Sequence, residues 1–168
     1  MKVTRGIPQG NYPNGSSMCT TAAHIMCTEF LCRDWHDSEG VVLTRVMKEA
    51  NTLYGGEGIG CAPGILRTEY VICECGSIDV MESGWDGTGF FITLEDLPRV
   101  LETTDSNVCS AVLTCGGHSF AVCAQHGRYS YFDSSPSCLT TDMSRVQFMQ
   151  EMQRIMTVQC DVTVYSNA

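Results

Sequence analysis

The chain has no stretch approaching the roughly 20 apolar residues of a membrane-spanning helix. It also has no internal repeat and no low-complexity segment. Basic residues are scarce: 10 Lys and Arg stand against 19 Asp and Glu, for a net charge of -9, and they cluster nowhere. Proteins that grip nucleic acid or anionic membranes neutralise phosphates with a basic patch, so neither partner is expected. The acidity fits a basic partner surface and fits plain solubility about equally well. The opening Met-Lys-Val-Thr-Arg-Gly-Ile-Pro carries no apolar signal region. It reads as a mature start or as a piece cut from a longer protein. At 168 residues the expectation is a single catalytic domain over residues 1–168 that buries its own core and acts as a monomer.

Cysteine, by contrast, is abundant, with 11 in the chain. An extracellular disulfide scaffold would use an even number behind a signal peptide. Here the count is odd, and Cys27, Cys73, Cys109, Cys115 and Cys123 sit inside apolar runs. Free cysteine in a reducing compartment behaves as a small hydrophobe, and that is the expectation for these. The expected setting is therefore the cytoplasm or nucleus. Structural zinc is disfavoured, because Cys73-x-Cys75 is tighter than the usual paired-ligand spacing and no second pair follows. No metal and no cofactor is expected.

Residues 6–17 are turn chemistry throughout. A helix is expected from about Met18 to Cys32, with Ala22, Ala23, Met26, Phe30 and Leu31 at helical spacing and Ser16 or Ser17 as a cap. A second should run from Val41 to Tyr54. Residues 55–64 and 84–89 read as glycine-rich loops, Glu69 to Cys75 as a strand, and Thr93 as a cap for a short helix to Leu101. Strands are expected at Val108 to Thr114, His118 to Ala124 and Arg128 to Phe132, the last two joined at His126-Gly127. A helix at Met143 to Met156 and a strand at Gln159 to Tyr165 close the chain. Helices followed by a strand meander indicate an α+β class, with N-terminal helices packed on a mostly antiparallel sheet.

A thiolate attacks carbonyls where a thiol does so poorly, so an active cysteine needs a lowered pKa. Unpaired N–H groups and the dipole at a helix start supply that. Cys19 alone among the cysteines sits at such a start, after a Gly-Ser loop; Cys27 and Cys32 lie deeper, where packing explains them. The nucleophile needs a base held by a third group. His118 opens a strand after Gly116-Gly117, and Asp133 ends the next strand, so a hairpin through residues 125–127 brings them to adjacent positions. His126 falls at the far end of that hairpin; His24 and His36 read as surface residues. For the oxyanion, the Cys19 N–H is one donor and Gln9 the expected second, with Asn11 and Asn14 nearer in sequence but shorter in reach. Taken singly, each feature has an ordinary explanation, and Asp133 in Phe-Asp-Ser would most often be a turn cap. Their joint order is what points to catalysis.

The order Gln9, Cys19, His118, Asp133 resembles papain-like cysteine peptidases. More narrowly, Gln9 with the loop to Ser17-Met18-Cys19, Gly89-Phe90-Phe91, and Tyr129-Ser130-Tyr131-Phe132-Asp133 resemble the deubiquitinating domain of the herpesvirus large tegument protein. That family's pattern ends in Asp-x-His; here Ser135 stands at the histidine position, and His118 on the preceding strand is the base. The resemblance implies a papain-like fold, a Cys-His-Asp triad, and hydrolysis after the C-terminal Gly-Gly of ubiquitin or a ubiquitin-like modifier, in a host cell if the protein is viral. It also implies a narrow groove for the ubiquitin tail, with residues 84–89 and Gly116-Gly117 as candidates. Glu82, Asp86 and Glu95 are candidate partners for the tail arginines. Two other readings stay open. One is a different cysteine acyl-transfer enzyme: a viral polyprotein peptidase, an acetyltransferase or a transglutaminase. The other is a non-catalytic zinc- or protein-binding module.

Overall fold

The structure is a computed structural model, and it describes residues 1–13, 15, 18–32, 39–54, 91–92, 94–102, 108–115, 117–156 and 160–166. The expected loops at 55–64 and 84–89, the strand at 69–75, Glu82, Asp86, His36, Asn14, Cys73, Cys75 and the caps at Ser16, Ser17 and Thr93 lie outside them.

In chain order the elements are β1 (Lys2–Arg5), α1 (Cys19–Cys32), α2 (Glu39–Tyr54), β2 (Phe91–Ile92), α3 (Leu97–Glu102), β3 (Val108–Cys115), β4 (His118–Gln125), β5 (Arg128–Asp133), β6 (Cys138–Met143), α4 (Arg145–Ile155) and β7 (Cys160–Ser166). Short 3-10 turns occupy Gln9–Asn11 and Leu94–Asp96. Seven strands form one sheet in the order β1-β6-β5-β4-β3-β7-β2, and every pairing is antiparallel. The class is the mixed helix and antiparallel sheet that the sequence indicates.

The central strands carry apolar residues on both faces, so both faces must be covered. On β3, Val108 and Val112 join the core with α1 and α2, while Cys109, Ala111 and Leu113 join the core with α3 and α4. β4 splits the same way: Ala121 and Cys123 join the core with α1, and Phe120 and Val122 join the core with α3 and α4. Helix α1 is buried nearly all round, with Ala22, Ala23, Ile25, Met26 and Cys27 at 0% exposure. That explains its near-continuous apolar sequence; each buried large side chain contributes about 1.5–3 kcal/mol. Helix α4 starts on a capping box: Ser144 accepts from the Gln147 N–H at 3.2 Å, and the Gln147 side chain accepts from the Ser144 N–H at 2.9 Å.

Two strands depart from expectation. β1 and β6 pair through Lys2↔Thr141 to Arg5↔Cys138. β6 reads as polar, Cys-Leu-Thr-Thr-Asp-Met, because only Leu139 and Met143 supply apolar side chains to a core, while Thr140 and Thr141 are buried as polar residues. His24 is also not a surface residue. It is fully buried, and its Nδ1 lies 2.6 Å from the Tyr165 hydroxyl. Cys115 is not a free thiol either: it forms a disulfide with Cys160 across the β3–β7 pair, with Cα atoms 4.9 Å apart. Cys27, Cys109 and Cys123 are buried thiols outside any disulfide, as expected of small hydrophobes.

Candidate active site

The site lies where the start of α1 meets the ends of β4 and β5. Met18 precedes α1 and its carbonyl accepts the Ala22 N–H at 2.9 Å, so Cys19 is the first helical residue. First-turn N–H groups have no intrahelical acceptor, which leaves a positive end beside the Cys19 sulfur. Cys19 is half-buried, exposed enough to react.

β4 and β5 pair through Gln125↔Arg128 to Ala121↔Phe132, around a turn in which His126 and Gly127 have φ of 50° and 74°. The hairpin carries His118 and Asp133 to one end of the sheet. His118 Nε2 lies 2.7 Å from Asp133 Oδ1. Asp133 engages only one ring nitrogen, so Nδ1 is not used by it, and His118 acts on Cys19 as a cause that lowers its thiol pKa. His126 is exposed at the hairpin's far tip, as expected. Asp133 also accepts the Ser135 N–H on Oδ1 at 3.0 Å and the Tyr131 hydroxyl on Oδ2 at 3.2 Å. It is thus a turn cap and a histidine partner at once.

These contacts set the charges. Burial pushes the Cys19 thiol up, but hydrogen bonds from His118 and the Ser119 backbone, the His118 charge and the Thr20 hydroxyl together hold it below the ordinary value. Asp133 hydrogen bonding, with help from Cys19, raises His118 to about 10. Burial pushes the Asp133 carboxyl up, yet bonds from His118, Ser135 and Tyr131 and the His118 charge hold it below the usual range. The three groups favour a thiolate, an imidazolium and a carboxylate in a row. Buried Cys27 shows the contrast: with desolvation dominant, its thiol is pushed far up and is inert.

Gln9 is held beside the turn that follows Asp133, by a route the sequence does not show. β1 pairs with β6, and the pairing continues through Gly6 N–H to Ser137 O at 2.8 Å. The Gln9 N–H then meets the carbonyls of Ser134 and Ser135, each at 3.2 Å. The residue after Asp133 therefore holds the residue expected to serve the oxyanion. Asn11, the shorter alternative, is exposed. Glu95 is exposed beyond β2, and no described contact links it to Cys19 or His118.

Sequence reasoning did not find the hydroxyl chain beside the nucleophile. Thr20 Oγ1 lies 4.0 Å from the Cys19 sulfur and 2.9 Å from Ser119 Oγ, which is 2.8 Å from Thr114 Oγ1. Nor did it find Tyr131 or Ser134. The only signal was position: Ser119 adjoins His118, and Ser134 adjoins Asp133. Among the described residues no group of His, Cys, Asp and Glu has metal-binding geometry.

No protein-family model matches the chain, and no curated protein matches it either. Among solved structures, the chain is similar to the ubiquitin-specific protease encoded by murine cytomegalovirus tegument protein M48, crystallised in complex with a ubiquitin-based suicide substrate. The two superpose with a TM-score of 0.65 over 100% of this chain and 88% of that one, at 13% identity. A likeness at that identity is one of fold: the chain shares its mixed helix and antiparallel sheet architecture with a viral protease.

Proposed function

We propose that the protein is a papain-like cysteine peptidase that acts as a deubiquitinase, with Cys19 as nucleophile, His118 as base and acid, Asp133 as its orienting group and Gln9 as an oxyanion donor. The observation that carries this reading is the His118 imidazole, held at 2.7 Å by Asp133 and electrostatically coupled to a half-buried thiol at a helix start. The fold likeness to a ubiquitin-specific protease supports ubiquitin, or a ubiquitin-like modifier, as substrate.

In the mechanism, the Cys19 thiolate attacks the carbonyl carbon of the modifier's last glycine. The oxyanion is met by the Cys19 N–H and the Gln9 carboxamide. The His118 imidazolium protonates the departing amine, the C–N bond breaks, and a thioester forms on Cys19. Water, giving its proton to His118, then attacks the thioester; the C–S bond breaks and the thiolate returns. Asp133 keeps Nε2 protonated throughout and so keeps Nδ1 directed at sulfur.

The proposed setting is a reducing compartment, cytoplasm or nucleus, of a host cell if the protein is viral. Cys19, Cys27, Cys109, Cys123 and Cys138, which form no disulfide, support it. The Cys115–Cys160 bridge runs against it, since intracellular disulfides are usually transient or redox-sensing.

The test is turnover of a fluorogenic amide on the ubiquitin C-terminus. The wild-type protein should release the fluorophore and Cys19→Ala should not. A folded wild-type protein that ignores this substrate, yet is alkylated selectively at Cys19, would instead be another acyl-transfer enzyme.

A further inference from the structure

We propose that Ser134 is a positioning residue for the Gln9 carboxamide, locking it in the one orientation that presents N–H rather than oxygen to a reacting carbonyl. This rests on the reading of Cys19 as a nucleophile that forms an oxyanion.

A carboxamide has two faces of opposite use. Its NH2 stabilises an oxyanion, and its oxygen, after a half-turn, repels one. Something must choose. The Gln9 Nε2 donates to the Gly15 carbonyl, which can only accept. That fixes nitrogen at this end. At the other end Ser134 Oγ lies 2.5 Å from Gln9 Oε1. A hydroxyl can give or take, but against an oxygen already fixed as the acceptor it must donate. Both ends thus enforce one flip state. The NH2 carries two hydrogens and Gly15 takes one, so one is left for the reacting oxygen.

The clamp is built into the core. Ser134 is fully buried and Gln9 is 8% exposed. Gly15 fits only as glycine, because a Cβ there would lie 1.9 Å from the Gln9 carbonyl oxygen and 2.9 Å from that of Tyr12. Its place in the chain gives Ser134 a second consequence. Asp133 orients the base, Ser134 orients the oxyanion donor, and the Ser135 N–H braces Asp133. One turn therefore registers both halves of the site against each other.

The test separates oxyanion chemistry from thiol chemistry. Alkylation of Cys19 by iodoacetamide forms no oxyanion, whereas amide hydrolysis does. Ser134→Ala should lower kcat on the ubiquitin amide about tenfold with KM within about twofold, and leave the alkylation rate within about twofold. Gln9→Ala should cost about 10²-fold or more in kcat. In the Gln9→Ala background, Ser134→Ala should cost nothing further, because the hydroxyl acts only through that amide. Ser134→Thr keeps the hydroxyl and should restore kcat. Independently of turnover, the Gln9 side-chain NH2 signals in nitrogen-15 NMR should be well ordered and slow to exchange in wild type and Ser134→Thr, and averaged in Ser134→Ala. Multiplicative losses in the double variant would overturn the proposal, as would alkylation falling in step with kcat. A Gln9 amide equally ordered without the hydroxyl would overturn it too. If the wild-type protein hydrolyses no ubiquitin amide, the functional reading falls and the NMR comparison alone decides whether Ser134 holds Gln9.

Discussion

Replacing His118 with alanine should slow alkylation of Cys19 and shift its pH dependence upward. Four contacts lower the Cys19 thiol pKa against the upward push of burial, and two of them, the hydrogen bond and the positive charge, belong to His118. In His118→Ala burial persists, opposed by the Ser119 N–H, the Thr20 hydroxyl and the start of α1 but no longer by the imidazole. Each pKa unit lost reduces the thiolate tenfold at neutral pH, while the more basic thiolate becomes about threefold more nucleophilic. The net loss is about threefold for each unit by which the thiol pKa rises, so the alkylation rate at pH 7 should fall. The sign over pH follows from the two shifts. In the wild type the lowered thiol ionises below the ordinary cysteine value of 9.0, and His118 keeps its proton to about 10. The thiolate–imidazolium pair is therefore populated between those limits and is lost as pH falls through the lowered thiol pKa. The assay is the second-order rate of iodoacetamide consumption from pH 5 to 10, with the modified peptide mapped. Superimposable profiles for wild type and His118→Ala would refute the argument, because His118 would then contribute nothing to the thiol.

Three further outcomes are expected. Asp133→Asn should lower kcat/KM on a ubiquitin amide by about 10²-fold or more and bring the alkaline limit of the pH–rate profile below about 10, since the Asp133 hydrogen bond is the largest cause raising His118; an unmoved alkaline limit would contradict this. The Cys115–Cys160 bridge spans 45 residues of chain, so its reduction should destabilise the fold by at most about 4 kcal/mol, read as a fall in Tm; peptide mapping without reductant should recover the two cysteines linked. Ser144→Ala removes one half of the α4 capping box and should cost about 1 kcal/mol in urea unfolding, with no change in Cys19 alkylation.

The parts of this architecture legible in sequence are those set by local pattern. α1 announces itself by apolar spacing after a turn-rich segment, and the β4–β5 hairpin by His126-Gly127 between an apolar and an aromatic run. Reading that hairpin is enough to place His118 beside Asp133, because hairpin register follows from the turn. What escaped is nonlocal. β1 is four residues long and its partners lie more than 130 positions away. β6 presents Thr140, Thr141 and Asp142, a polar run that becomes a strand only because β5 and β1 flank it. Cys115 and Cys160 face each other only once the β3–β7 register is set, so the sequence offers no reason to pair them. His24 resembles an ordinary polar residue on a helix until Tyr165, 141 residues later, covers it. Ser134 looks like turn chemistry because it is turn chemistry; its bond to Gln9 depends on β1 being docked. The candidate nucleophile, base and acid were visible, whereas the hydroxyls that hold them were not.

The most direct test of the central claim is labelling by a ubiquitin carrying an electrophile in place of its C-terminal carboxylate, followed by peptide mapping. The account predicts a single covalent adduct on Cys19, abolished in Cys19→Ala and slowed in His118→Ala, with the other cysteines unmodified. A correctly folded wild-type protein that forms no adduct, or forms it on a different cysteine, would contradict it.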